Sequence, residues 1–146
     1  MNSRPLHLLL FLLFIILILP SDAIANLGEK VSTAKTRTSS KTRTSYYKKS
    51  FGAVDPIFQT NKNGVVIMEF WAAPPEMWTK AKAMEFAKLL IPKKLRNEKP
   101  KMGLEEGIME PYTFSDGTMI ILQQAGFGKK YIGVEVRSPE YKGPPC

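Results

Sequence analysis

The chain has 146 residues, a formal net charge of +8 at pH 7, one cysteine and one histidine. The histidine is His7, which lies in a segment that we expect to be removed, so the mature chain lacks an imidazole for nucleophilic catalysis or metal binding. The single cysteine excludes an internal disulfide.

Residues 1–25 are typical of a secretory signal peptide. The apolar run Leu8–Leu19 is followed by Ala23 and Ala25, at the spacing that signal peptidase recognises. As a helix this run spans only about 18 Å, against a hydrocarbon core of about 30 Å. We therefore predict cleavage near Ala25, a secreted or periplasmic location, and no transmembrane span after processing. An uncleaved signal anchor is the alternative.

Residues 26–50 form a basic, Ser/Thr-rich segment in which seven Lys and Arg residues face only one acid, Glu29. The sequence KTRTS occurs at 35–39 and again at 41–45. So few apolar residues cannot offset the entropy of ordering, which predicts a disordered tether. Its charge, interleaved with Tyr46 and Tyr47, would attract anions. A solvated spacer is the alternative.

Residues 51–141 are predicted to form one small domain, followed by an extended tail at 142–146. Val54–Thr60 should be an edge strand that tolerates Pro56, and the loop ending at Gly64 should turn the chain into a buried strand over 65–71. Pro74 and Pro75 then end that strand.

A helix is predicted from Pro75 to Ile91, because helix-forming residues continue until Pro92. Its apolar positions follow a helical period and predict one face packed on a sheet. A second, methionine-containing side is explained either by a wider core contact or by a partner groove. The core face comprises Thr79, Ala83, Phe86, Ala87 and Leu90, and the second side comprises Met77, Ala81 and Met84.

Three further strands are predicted, at 108–114, 118–124 and 131–137. The Asp-Gly pair at 116–117 predicts a tight hairpin between the first two. In the last strand, Ile132, Val134 and Val136 alternate and should share one face. The predicted class is α+β: a small antiparallel sheet, in the order β-β-α-β-β-β along the chain, packed under one helix.

Carboxylates are the remaining candidates for catalysis, but no two have a spacing that favours an acid–base pair. Glu69 is notable because it lies within an apolar run; we expect it to face outward, lie at an edge or pair with a lysine, the alternative being a buried functional carboxylate. The glycines at 126 and 128 fit a turn better than a phosphate loop. We expect a non-enzymatic protein without metal or cofactor. The other carboxylates weighed are Asp55, Glu105, Glu106, Glu110, Asp116 and Glu135.

Cationic residues are the main candidates for binding. They lie in residues 26–50 and in a second cluster at 93–101, part of which should complement the end of the helix. Trp71 and Trp78 could form an aromatic patch, although core packing is the favoured interpretation. Cys146, on a proline-rich tail, could form an intermolecular disulfide and hence a dimer, or be an incidental thiol. The candidate anion-binding residues are Lys35, Arg37, Lys41, Arg43, Tyr46, Tyr47, Lys48, Lys49, Lys93, Lys94, Arg96, Lys99 and Lys101.

These features predict an exported binding or assembly module that uses a cationic tether to hold an anionic partner, such as an envelope polymer, a lipid headgroup or a protein. Nucleic acid is a less favoured partner. One alternative is a secreted cationic toxin or effector that acts on membranes, and another is a carboxylate-dependent hydrolase.

Overall fold

Two helices lie on one face of a seven-stranded antiparallel sheet. The computed structural model describes residues 27–29, 41–54, 56–126 and 129–143. The elements in chain order are α1 (Lys41–Phe51), β1 (Ile57–Thr60), β2 (Val66–Ala72), β3 (Trp78–Thr79), α2 (Lys80–Leu90), a short 3-10 turn (Lys93–Leu95), β4 (Lys101–Met102), β5 (Met109–Thr113), β6 (Met119–Gln124) and β7 (Lys130–Arg137). Neither of these two helices is long and apolar enough to cross a membrane.

The strand order across the sheet is β1-β2-β7-β6-β5-β4, with β3 also paired to β7. Every pairing is antiparallel, as predicted for a sheet built from hairpins. The predicted mixed class with an antiparallel sheet is therefore confirmed. The predicted element order is incomplete, because α1 precedes the sheet and the two-residue strands β3 and β4 extend it.

Both predicted hairpin turns are present. Gly64 has φ +73° and donates its N–H to the carbonyl of Asn61 at 2.9 Å. Gly117 has φ +87°, and the Asp116 side chain accepts a hydrogen bond from the N–H of Thr118 at 2.8 Å. Glycine adopts this left-handed backbone at little cost, which explains why these turns can be predicted locally.

The predicted start of the central helix is wrong. Met77 has φ +59°, which is outside the right-handed region that an α-helix requires. The next two residues pair with β7 as β3. The helix begins at Lys80, and the side chain of Thr79 caps it by accepting the N–H of Lys82 at 3.3 Å. The predicted core positions 83, 86, 87 and 90 are confirmed as buried, whereas Thr79, predicted on the same face, is exposed.

The core is centred on Phe86 of α2. Its ring is surrounded by Tyr47, Phe51, Trp71 and Trp78, at centroid distances between 5.0 and 5.6 Å. All five aromatic residues are at least 96% buried. All four of these ring pairs are tilted or edge-on, the geometry that aromatic quadrupoles favour.

The predicted disorder of residues 26–50 is wrong for the described part of that segment. Residues 41–50 belong to α1, whose Tyr47 is buried against Trp71 and Phe86. Tyr47 and Phe51 are four residues apart and so share one helix face, a periodicity that the polar composition of the segment conceals. The predicted signal peptide, residues 30–40 and the end of the tail lie outside the described residues.

A short N-terminal stretch, residues 27–29, is hydrogen-bonded to the start of β2. Gly28, at φ +96°, donates its N–H to the carbonyl of Val66 at 2.9 Å, and the N–H of Val66 is bonded to the carbonyl of Glu29 at 2.8 Å. Two residues thus oppose one, the pattern of a glycine-type β-bulge. The adjacent Leu27 is buried in the core.

The alternation predicted for β7 is also wrong, because a bulge interrupts it. Gln123 pairs with Gly133 while Gln124 pairs with Tyr131, so Ile132 is the extra residue and is 38% exposed. The bulge changes the phase of the strand, as an inserted residue does in a ladder. Tyr131 is thereby placed on the helix-covered face.

Candidate functional site

A buried carboxylate cluster centred on Glu110 lies beneath the start of α2. Glu110 and Tyr112 are two residues apart in β5, so both side chains point to the helix-covered face. Glu110 is 1% exposed and Tyr112 is 8% exposed. Lys80, the first residue of α2, reaches this pair from above and is itself half-exposed.

Four side chains donate to the Glu110 carboxylate. Tyr131 Oη donates to Oε2 at 2.7 Å and Gln124 Nε2 to the same atom at 3.1 Å. Tyr112 Oη and Lys80 Nζ both contact Oε1, the latter as an ion pair. The Lys80 ammonium also lies 5.6 Å from the centre of the Tyr112 ring. The cluster therefore joins α2, β5, β6 and β7.

The donors keep Glu110 ionised. Burial alone would raise its pKa, but the hydrogen bonds from Lys80 and the tyrosines outweigh that effect and lower the pKa to about 2. The contact with Glu110 raises the pKa of Lys80. Burial and the hydrogen bond to Glu110 together raise the pKa of Tyr131 to about 12, and they raise that of Tyr112 as well.

This arrangement favours a structural role over acid–base chemistry. A carboxylate with a pKa of about 2 is a weak base at neutral pH, and its lone pairs are occupied by protein donors. Tyrosines with raised pKa values remain protonated hydrogen-bond donors. The cluster can thus hold four elements in register without reacting.

Glu69 is a second buried carboxylate on the same face. It is fully buried, opposite Phe58 and Val136, and the indole Nε1 of Trp71 donates to its Oε1 at 2.5 Å. The expectation that Glu69 faces outward or lies at an edge is wrong, because β2 is covered by the helices and flanked by β1 and β7.

The basic cluster at 93–101 divides into two groups. Arg96 is partly buried and donates to the carbonyls of Leu89 at 3.1 Å and Ile91 at 3.4 Å, so it complements the end of α2 as expected for part of this cluster. The lysines at 93, 94, 99 and 101 are exposed. Lys94 alone of these has an ion pair between described residues, a 3.8 Å contact with Asp116.

The acid within this basic cluster bonds the turn between β5 and β6. Glu98 accepts hydrogen bonds from the N–H of Ser115 at 2.6 Å and from its hydroxyl at 2.9 Å. Asp116, in the same turn, is partly buried, which would raise its pKa, but hydrogen bonds from Thr118 lower it overall. The turn between β5 and β6 therefore uses both carboxylates.

The aromatic candidates are part of the core. Trp71 and Trp78 are fully buried or nearly so, and Trp78 Nε1 donates to the carbonyl of Phe51 at 2.6 Å. An exposed aromatic patch at these residues is therefore wrong, and the core interpretation is confirmed. Tyr47 is also removed from the binding candidates by its burial, whereas Tyr46 is 51% exposed.

The remaining candidates fall into two sets. Lys48 and Lys49 lie on α1 with exposed side chains. Lys41 and Arg43 also belong to α1, but their side chains, like residues Lys35, Arg37, Asp55 and Cys146, lie outside the described part of the protein.

The Glu110 cluster was not predicted as a unit, although a local signal for it exists. Glu110 and Tyr112, like Glu69 and Trp71, place a carboxylate and an aromatic donor two residues apart in a strand, and hence on one face. Lys80, Gln124 and Tyr131 could not be added from that spacing, because other elements supply them.

Comparison of the chain with protein-family models, curated protein sequences and solved structures gives no match.

Proposed function

We propose that this protein is an exported, non-enzymatic binding or assembly module that holds an anionic partner through exposed lysines. The observation that carries the proposal is the exposure of the lysine side chains in the basic cluster at 93–101. Its internal acid, Glu98, bonds Ser115, and its arginine bonds the end of α2, so that of the four exposed lysines only Lys94 pairs with an acid among the described residues. Such a surface attracts polyanions by releasing their counterions.

Residues 26–50 would add to this attraction through their own basic side chains, of which Lys48 and Lys49 are exposed. Because residues 41–50 belong to α1, the segment contributes an ordered surface there, in addition to any contribution from the residues before the helix. The partner classes that suit this surface are an acidic envelope polymer, anionic lipid headgroups and an acidic protein.

The test is binding to phosphatidylcholine vesicles containing phosphatidylglycerol, and to heparin as a soluble polyanion, over a range of salt concentrations. The variant is Lys93→Gln/Lys94→Gln/Lys99→Gln. Each lysine near an anionic surface contributes about 1 kcal/mol, so we expect roughly 100-fold weaker binding and a shallower salt dependence. The melting temperature should change little, because exposed charges support no packing.

A matched control removes three scattered exposed lysines, Lys62→Gln/Lys82→Gln/Lys142→Gln, with the same change in net charge. Equal weakening by both variants would assign the attraction to net charge alone and reject a specific cationic surface. Binding that is indifferent to salt would reject the proposal altogether. Dye release from the vesicles would favour the membrane-active alternative.

A further inference from the structure

The exposed aliphatic side chains are concentrated at one end of the sheet. Seven large apolar side chains are exposed among the described residues, and five of them lie at the strand ends opposite the turns at 61–64 and 115–118. Single exposed apolar residues are ordinary, whereas a cluster indicates an interaction surface. These five residues, the aliphatic row, are Leu104 (89% exposed), Ile57 (62%), Val54 (49%), Ile108 (45%) and Ile132 (38%).

Backbone hydrogen bonds connect the aliphatic row across the sheet. Val54 donates its N–H to the carbonyl of the last residue of β2 at 3.0 Å, and Ala73 donates to the carbonyl of Ile132 at 2.8 Å. Gln124, at the end of β6, donates to the carbonyl of Ile108 at 2.7 Å. The path from β1 to β4 crosses six strands about 4.8 Å apart, so the row is roughly 24 Å long.

Leu104 projects from a bulge that main-chain bonds hold in place. Gly103 donates its N–H to the carbonyl of Pro111 at 2.9 Å, and Glu106 and Met109 exchange hydrogen bonds at 3.1 and 3.0 Å. Two residues of this connection, Leu104 and the next, therefore oppose one residue of β5. The most exposed side chain of the aliphatic row is thus fixed at the sheet end by bonds on both sides.

The aliphatic row and the basic cluster lie at opposite ends of the strands. Lys101 pairs with Thr113, directly before the turn between β5 and β6, and Lys94 contacts Asp116 in that turn. The row lies where β5 begins and β6 ends. Binding through the row therefore leaves the lysines of the basic cluster accessible to an anionic partner.

The composition of the row favours a lipid surface over a protein partner. The residues that dominate the energy of protein interfaces are enriched in Trp, Tyr and Arg, and Leu and Val are under-represented among them. The row has only aliphatic side chains, which fluid acyl chains can surround without a matching shape.

Exposed charges of both signs flank the row. Glu105 and Glu106 follow Leu104, and Lys129 and Lys130 lie at the start of β7. An anionic membrane would repel the two acids, whereas a zwitterionic headgroup offers a phosphate to the lysines and an ammonium group to the acids. Charge complementarity thus selects a zwitterionic bilayer.

We propose that this end of the sheet docks on a zwitterionic phospholipid bilayer. Leu104, Ile108 and Ile57 enter the boundary between headgroups and acyl chains, and Lys129 and Lys130 extend their ammonium groups back to the phosphates. Burial of apolar surface drives this contact, so it is insensitive to salt, unlike the attraction of anions to the basic cluster.

Position-specific fluorescence tests this contact in the full chain. Phosphatidylcholine vesicles with a nitroxide on the acyl chain are mixed, in about 0.5 M NaCl, with chains that carry one NBD-labelled cysteine in a Cys146→Ser background. We expect the label at Leu104→Cys or Ile57→Cys to be quenched at least about threefold more than the label at Lys62→Cys, at the opposite end. Docking through the apolar run at 8–19 would instead bring the end that carries Leu27 to the membrane. Equal quenching at the two ends, or none at either, overturns the proposal.

Two double variants test which side chains make the contact. With the label at Ile57→Cys, Leu104→Ser/Ile108→Ser should raise the lipid concentration for half-maximal quenching about tenfold or more, because two buried apolar side chains are lost. Tyr46→Ser/Met102→Ser is the matched control, since it removes the two exposed apolar side chains outside the row, and it should leave that concentration unchanged. Circular dichroism establishes that all variants fold.

Equal weakening by the two double variants, or no weakening by either, rejects the proposal. So does shielding of the labels that depends on protein concentration in the absence of vesicles, because it assigns the row to a second copy of the chain. Heparin binding at low salt reports on the basic cluster alone and should be the same for Leu104→Ser/Ile108→Ser as for the unaltered chain. The two proposals therefore fail separately.

Discussion

Glu110 and Glu69 are charged side chains buried on the helix-covered face, each with an aromatic donor two residues along its strand. A buried carboxylate is costly unless donors satisfy its oxygens. At Glu110 those donors come from four elements, so the carboxylate is satisfied only when these elements are in register. The residue thereby favours one arrangement of the sheet and α2.

Glu110→Gln should lower the free energy of unfolding by roughly 3 kcal/mol at pH 7, because Lys80 and two tyrosines lose an ionised acceptor. The pKa of Glu110 is lowered from 4.5 to about 2, so its stabilising contribution is complete above pH 4.5 and is lost as the pH falls towards 2. Urea denaturation at pH 7 and at pH 3 should therefore show a smaller difference between the two proteins at the lower pH.

The exposed acid Glu76 provides the control for this experiment. Glu76→Gln removes the same charge without a buried partner and should change stability by less than about 0.5 kcal/mol at either pH. If Glu110→Gln is equally mild at pH 7, the cluster does not hold the elements together.

Among the elements, α1 shows how two residues can order a polar segment. The helix is short and rich in Ser, Thr, Lys and Arg, and its own propensity would leave it marginal in water. It is held by Tyr47 and Phe51, whose rings pack around Phe86 of α2. Docking on the aromatic core, and not the local sequence, stabilises this helix.

Tyr47→Ala should therefore destabilise the domain by about 3 kcal/mol, since it removes a fully buried ring from between Trp71 and Phe86. Tyr46→Ala is the matched control, because Tyr46 is 51% exposed and should cost less than about 1 kcal/mol. Urea denaturation measures both. A Tyr47→Ala protein with unchanged stability, whose α1 is cut by trypsin after Lys48 without loss of the domain, would show that α1 is a detachable tether.

At the scale of the whole molecule, the proposed cleavage site can be compared with the first residues that contact the fold. Cleavage after Ala25 would leave Leu27 in the core and Gly28 and Glu29 bonded to Val66, so processing there preserves every described contact. Removal of even a few more residues would expose the end of β2.

N-terminal sequencing of exported material should begin at Asn26, because Ala23 and Ala25 occupy the positions that signal peptidase reads. Ala25→Arg should prevent this cleavage, whereas Ile24→Leu should leave it intact. Recovery of a membrane-embedded chain that still begins at Met1 would contradict the proposed location.

The sequence by itself determined those features that depend on neighbouring residues. Gly64 and the Asp-Gly pair at 116–117 specify their turns through local backbone preference, and the apolar positions of α2 specify its buried face through helical period. The antiparallel class follows, since short turns join neighbouring strands in opposite directions. These features required no knowledge of distant contacts.

Only the tertiary structure decided the rest, because there the deciding partner lies far along the chain. Tyr47 is ordered by Phe86, and Trp78 is drawn out of the predicted helix into pairing with Tyr131. The bulge at Ile132 turns Tyr131 towards Glu110, which no alternation pattern indicates. Side-chain burial across separate elements overrides local propensity, since the free energy of packing a ring or satisfying a carboxylate exceeds the few tenths of a kcal/mol that typically separate ordinary residues in helix propensity.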